Sequence, residues 1–185
     1  MQRNDLLVWM DLEMTSLEDV LVDQIIEIAV VLTDKDLNIV AEGPDIVIHA
    51  DKALFERIDP NVRRLHTDSG MEQASIASDT TLEEATREVL TFLNEHLVEK
   101  SAPLCGNSIH TDRHFLKIHM PAVSNYLFYR CIDVSSLKEL ARRWATEVYT
   151  EAEHRKEHKI HRAKDDILQS IEELRFYREN LFKNL

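Results

Sequence analysis

Leu6-Leu7-Val8-Trp9-Met10-Asp11-Leu12-Glu13 decides how this chain is read: an apolar run that closes on two carboxylates two residues apart. In a β-strand alternate side chains share a face, so Asp11 and Glu13 point one way while Leu12 turns to a core. Two anions held side by side at the edge of a core cost free energy unless a divalent cation neutralises them. Carboxylate oxygens suit hard ions such as magnesium or manganese. An acidic strand end running into a solvated loop is the plainer account, and the pair alone favours it, because strand ends are often acidic.

Working outward, Ile25-Ile26-Glu27-Ile28-Ala29-Val30-Val31-Leu32 is β-branched and nearly continuous, the pattern of a strand buried on both faces. Turn residues from Asp34 to Asn38 precede another strand, Ile39 to His49, interrupted near Gly43-Pro44. Three strands on short connections make an antiparallel start. Leu82, Ala85, Val89, Phe92, Leu93 and Leu97 are helically spaced behind a capping box, Thr81-Leu82-Glu83-Glu84, so a long amphipathic helix crosses the sheet. Pro103 to Asn107 reads as a short strand and turn, and Asp112 to His119 as a helix ended by Pro121. Cys131 to Val134 is another short strand. It leads into a helix from Ser135 to Ala145 with Ser135 or Ser136 as N-cap, and a final helix runs from about Ala163 to Phe182. Strands first, then alternating helices and short strands, predict an α/β chain of one domain over 1–185, with helices packed on a mixed sheet.

Composition narrows the partners. Of 185 residues, 44% are hydrophobic and 30% charged, and no apolar run approaches the roughly 20 residues of a membrane span. The start, Met1-Gln2-Arg3-Asn4-Asp5, resembles neither a signal peptide nor a transit sequence, so a cytoplasmic location is expected. A net charge of -12 opposes a surface that grips long nucleic acid. It leaves room for a small phosphate substrate, because screening confines the field to roughly 10 Å. Cys105 and Cys131 stand in apolar surroundings and are expected to be reduced, buried thiols.

Other candidate groups lie far along the chain. Asp112 opens its predicted helix, where a carboxylate complements the dipole or simply caps. Asp165 and Asp166 lie about 100° apart on a helix. Asp166 borders the stripe of Ala163, Ile167, Ser170 and Leu174 and is the inward one, whereas Asp165 belongs to a solvated face. His161, five residues before Asp166, suits general-base work at neutral pH, with a surface histidine as the plainer account. His154 and His158, four apart, have zinc-ligand spacing, although Arg155, Lys156 and Glu157 between them favour a charged helix face.

Asp11-Leu12-Glu13-Met14-Thr15, Gly106-Asn107-Ser108 with Asp112, and His161 with Asp166 together resemble the DEDDh exonucleases. Gln24 to Ala29, Asn38 to Pro44, Tyr129-Arg130, Asp133-Val134-Ser135 and Lys138 to Trp144 extend the resemblance to the oligoribonuclease family over almost the whole chain. The resemblance implies a ribonuclease-H-like fold with a mixed five-stranded sheet flanked by helices. It also implies a homodimer that removes nucleotides from the 3′ end of short RNA, dinucleotides above all. Asp11, Glu13, Asp112 and Asp166 would hold two divalent cations, Mg2+ or Mn2+, and His161 would activate water. Leu17 resembles a wedge between the terminal bases, and Ser108, Arg130 and Ser135 resemble a cap on the 5′ phosphate. Tyr129 and His66 resemble residues that complete the partner protomer's site. This chain differs from the family pattern at Ser16, usually glycine, Asn61, usually a base-stacking tryptophan, and Lys164, usually apolar. A proofreading-type exonuclease on single-stranded DNA and a catalytically silent nucleotide-binding dimer module are the competing readings.

Overall fold

Side-chain alternation along the first strand sorts the molecule into two faces. In the computed structural model, which describes residues 1–155 and 162–182, β1 spans Leu7–Met14. Leu6, Val8, Met10 and Leu12 enter one core, while Trp9 enters another on the opposite face. Asp11 and Glu13 therefore project from the Trp9 face.

β1 pairs antiparallel with β2 (Ile25–Thr33), every residue of which is buried, and β2 pairs antiparallel with β3 (Ile39–Val47). A register shift between Ala29 and Val31 accommodates the predicted break near Gly43-Pro44 without ending β3. On the other side of β1, β4 (Leu104–Gly106) and β5 (Cys131–Asp133) run parallel, giving the order β3-β2-β1-β4-β5. The expected mixed five-stranded sheet is present. A Cβ on Gly106 would lie 3.2 Å from the Met10 carbonyl oxygen and 2.8 Å from Ile109 Cδ1, so a side chain there would turn Ile109 aside and crowd β4 against β1.

Between β3 and β4 the chain forms α1 (Lys52–Phe55), α2 (Pro60–Asp68), α3 (Met71–Ala77) and α4 (Leu82–His96). The capping box predicted at Thr81 and Glu84 is formed in both directions. The first three helices have no counterpart in the sequence reading. They are short and cover a satellite core of Ile26, Ala50, Phe55 and Met71, although Asp59 before Pro60 carries an N-cap and N1 signal.

α5 (His110–His119) and α6 (Pro121–Tyr126) follow β4. Pro121 does not merely end a helix; it begins the next, where its missing N–H costs nothing. After β5 come α7 (Val134–Trp144), α8 (Thr146–His154) and α9 (Ala163–Leu181). The N-cap of α7 is Asp133, not Ser135 or Ser136: its Oδ1 accepts the Ser135 N–H at 3.0 Å. α4, α5 and α6 cover the Leu6–Leu12 face, and α7, α8 and α9 cover the Trp9 face. Cys105 is buried as expected, but Cys131 is exposed because β5 is an edge strand.

Candidate active site

Strand geometry and one long helix assemble the carboxylates. Asp11 and Glu13 rise from β1 on the face that α9 covers, and Asp166 lies in the first turn of α9, 8% exposed. One oxygen from each of the three lies within 4.8 Å of the others, with Asp11 and Glu13 half-buried. Three hard oxygen donors at that spacing, one of them nearly dry, fit a divalent cation of the magnesium or manganese type. Asp165 is exposed, as its helix position predicts.

Asp112 does something the sequence did not disclose. It lies in the first turn of α5 but does not cap it, the N-cap being Ile109. Instead its Oδ1 accepts the backbone N–H of Leu12 at 3.0 Å. That N–H lies between Asp11 and Glu13, beyond the point where short β4 stops pairing with β1. Burial pushes the Asp112 carboxyl up to about 7, the Leu12 hydrogen bond opposing it only in part. Asp112 stands outside the three-carboxylate group but is tied to it through Leu12, and its desolvation favours the neutral carboxyl.

The start of α9 is anchored from β2. Glu27, opposite Glu13 in the ladder and fully buried, accepts Arg162 Nε at 2.8 Å and Nη2 at 2.5 Å through Oε1, and the Ala163 N–H at 2.9 Å through Oε2. Asp166 N in turn donates to the Arg162 carbonyl at 3.0 Å. Neither Glu27 nor Arg162 was singled out from sequence. The signal available was an acidic residue inside an eight-residue apolar run, since a charge there needs a partner. Lys164 is accounted for by its ion pair with Glu42 Oε2, 2.7 Å away on β3.

Ser108 and Ser135 come together beyond the ends of β4 and β5. Ser108 N donates to Ser135 Oγ at 2.9 Å and to Asp133 Oδ1 at 3.0 Å, and the two hydroxyl oxygens are 3.1 Å apart. Arg130 does not join them: it precedes Cys131, at the opposite end of β5, and donates to Tyr129 Oη at 2.8 Å. Tyr129 is 69% exposed. His66, expected to complete a partner's site, is buried on α2 with Nε2 3.2 Å from its own chain's Thr15 carbonyl oxygen. Leu17 is 66% exposed beside that loop. Buried Ser16 accepts Glu18 N at 3.3 Å, and Asn61 N donates to Asp59 in the first turn of α2. His161 and His158 lie outside the described residues. A cavity of about 570 Å3 opens near the serine pair, lined by Asn107 and Ser135 and by residues of α7, α8 and α9.

An exonuclease family model, RNase_T, matches residues 8–174. An oligoribonuclease of Shewanella loihica is 48% identical over 177 residues, covering 96% of each chain. The chain belongs to the oligoribonuclease family. Within that family it is also similar to the mitochondrial oligoribonuclease of Mus musculus, 47% identical over 177 residues that cover 96% of this chain and 73% of that one. The fold of this oligoribonuclease-family chain is similar to that of about two fifths of exonuclease I. An E. coli exonuclease I structure in complex with a 5cy-dT13 oligonucleotide superposes with a TM-score of 0.69 at 11% identity, covering 97% of this chain and 41% of that one. Exonuclease I from Methylocaldum szegediense gives 0.66 at 18% identity, covering 95% and 40%. The ribonuclease-H-like expectation is met.

Proposed function

We propose that this chain, as one exonuclease domain over 1–185, is a metal-dependent 3′ to 5′ exoribonuclease that degrades short RNA, dinucleotides above all, to mononucleotides. The observation that carries the reading is the meeting of Asp11, Glu13 and Asp166 within 4.8 Å, with Asp112 hydrogen-bonded to the residue between the first two. Two divalent cations held by Asp11, Glu13, Asp112 and Asp166 would make water more acidic and stabilise charge on the leaving 3′ oxygen. His161, next to Arg162 before α9, takes the proton of the attacking water as general base. Leu17, exposed past the end of β1, wedges the terminal bases, and Ser108 and Ser135 hold the 5′ phosphate.

A homodimer belongs to the same reading. Arg130 and Tyr129 lie at the end of β5 away from the serine pair of their own chain, which supports their serving the partner's site. His66, against Thr15, is kept as a substrate-side group at the loop after Glu13. A cap on the 5′ phosphate excludes longer chains, in keeping with the net charge of -12. Location in the cytoplasm is part of the proposal. The mitochondrial label of the mouse relative makes cell fractionation its check.

The deciding experiment is turnover of RNA from two nucleotides upward, beside DNA of matched length, with chelator as control. Rapid magnesium-dependent hydrolysis of the RNA dinucleotide, lost in Asp11→Ala and Asp166→Ala, is expected. Unchanged turnover in either variant, or a preference for long DNA, would sink the reading.

A further inference from the structure

Asn107 joins the two ends of the site through hydrogen bonds whose polarity is settled. Its Nδ2 donates to Glu173 Oε2 at 3.1 Å and to Ser170 Oγ at 2.9 Å, both on α9, and its Oδ1 accepts from Ser135 Oγ at 3.0 Å. The amide nitrogen therefore faces α9 and the carbonyl oxygen faces α7. Ser170 gives its own hydrogen to the Asp166 carbonyl at 2.8 Å. Ser135, its hydrogen committed to Asn107, receives the Ser108 N–H at 2.9 Å. A continuous chain therefore runs from Asp166 through Ser170, Asn107 and Ser135 to Ser108.

The far end of this chain is strained. Ser108 has φ 50, a left-handed conformation that a serine adopts at a cost and keeps only when its surroundings hold it. Two acceptors on its N–H, Asp133 Oδ1 and Ser135 Oγ, do the holding. Ser135 in turn is oriented by Asn107. With the hydrogen of Ser135 given to Asn107, the hydroxyl of Ser108 is the member of the pair able to turn toward a phosphate oxygen.

We propose that Asn107 is a positioning residue that fixes the Ser108–Ser135 pair at a set distance from Asp166, so that the enzyme recognises the 5′ phosphate of a dinucleotide whose 3′ end lies at the carboxylates. This rests on the reading of the two serines as the 5′-phosphate cap. Without Asn107, Asp166 keeps its helix and the Glu27–Arg162 anchor, whereas the serine pair loses its orientation. The loss therefore falls on recognition of the phosphate.

The test measures kcat and KM for one RNA dinucleotide with a 5′ phosphate and with a 5′ hydroxyl, in the wild type, Asn107→Ala and Ser170→Ala. Ser170→Ala removes the neighbouring link without touching the serine pair, and it decides the matter if Asn107→Ala does not fold. The expected result is that Asn107→Ala lowers the preference for the 5′ phosphate about tenfold, mainly through KM, the order of one charge-assisted hydrogen bond. Ser170→Ala lowers it in the same direction by about threefold. A preference unchanged in folded variants, or an equal fall in kcat for both substrates, overturns the proposal while leaving the cap. A wild type indifferent to the 5′ phosphate removes the cap and the proposal with it.

Discussion

Asp112 shows how far one side chain's meaning depends on what it touches. It stands in the first turn of α5, where a carboxylate serves the dipole, yet it is buried and its Oδ1 accepts the Leu12 N–H, with its carboxyl held up to about 7. A folded-state value raised above the unfolded one, near 4, means that the folded form binds the proton more tightly. The stability linked to Asp112 is then fully present below about pH 4 and lost as pH rises through about 7. Chelator-treated protein is expected to lose stability between pH 5 and 8 by an amount that Asp112→Asn abolishes, since the amide still accepts from Leu12. Urea melts at the two pH values check this, and identical slopes in wild type and variant would refute it. Because a cation must displace that proton, magnesium is expected to raise the melting temperature more at pH 8 than at pH 5.5, as thermal melts with and without the ion would show.

At the scale of elements, α9 matters because it carries Asp166 to a strand from which it is distant in sequence. Its packing stripe, Ala163, Ile167, Ile171 and Tyr177, seats it on the sheet, but an apolar stripe permits sliding by small steps. Glu27 removes that freedom by binding both Arg162 and the Ala163 N–H. Breaking a buried pair by deleting one partner leaves a desolvated charge behind. Arg162→Ala is expected to cost about 2 to 4 kcal/mol, the lower part of the range because Arg162 is 38% exposed and water can reach the gap. Denaturant melts measure it, and a cost under about 0.5 kcal/mol would show that Glu27 finds other partners. Turnover is expected to fall by more than the lost folded fraction, because Asp166 is displaced from Asp11 and Glu13.

At the scale of the whole molecule, the proposed homodimer raises the question of which chain supplies Arg130. Parallel β4 and β5 carry Ser108 and Ser135 past one end and leave Arg130 at the other. Asp11→Ala and Arg130→Ala homodimers, each impaired, are expected to regain activity when dissociated and mixed. Random re-pairing makes about half of the dimers mixed, each with one complete site, so about one quarter of wild-type activity is expected. Steady-state assays before and after mixing test this. No gain, with mixed dimers verified, would place Arg130 in its own chain's site.

Much of the architecture was legible because its signals are local. The apolar run of β2, the alternation of β1 and the Thr81–Glu84 box each report a backbone choice made within a few residues. The helices from Lys52 to Ala77 were not legible. Their few buried residues, Phe55 and Met71 among them, fold against Ile26 of β2, and a four-residue helix has no period to read. The N-cap of α7 was misplaced for a related reason. Ser135 has a capping hydroxyl, but the turn after β5 gives the position to Asp133 and leaves Ser135 to bond Asn107.

The sequence by itself determined the order of the five strands and of α4, α5, α7 and α9, the shared face of Asp11 and Glu13, the inward turn of Asp166 and the family motifs, since each depends on backbone period or residue identity. Only the tertiary structure decided that Asp112 would bind β1 rather than cap α5, that Glu27 would anchor α9, and that Asn107 would tie Ser135 to the helix of Asp166. A hydrogen bond depends on where two groups arrive after the chain has folded, and residues 100 or more positions apart carry no local sign of that meeting.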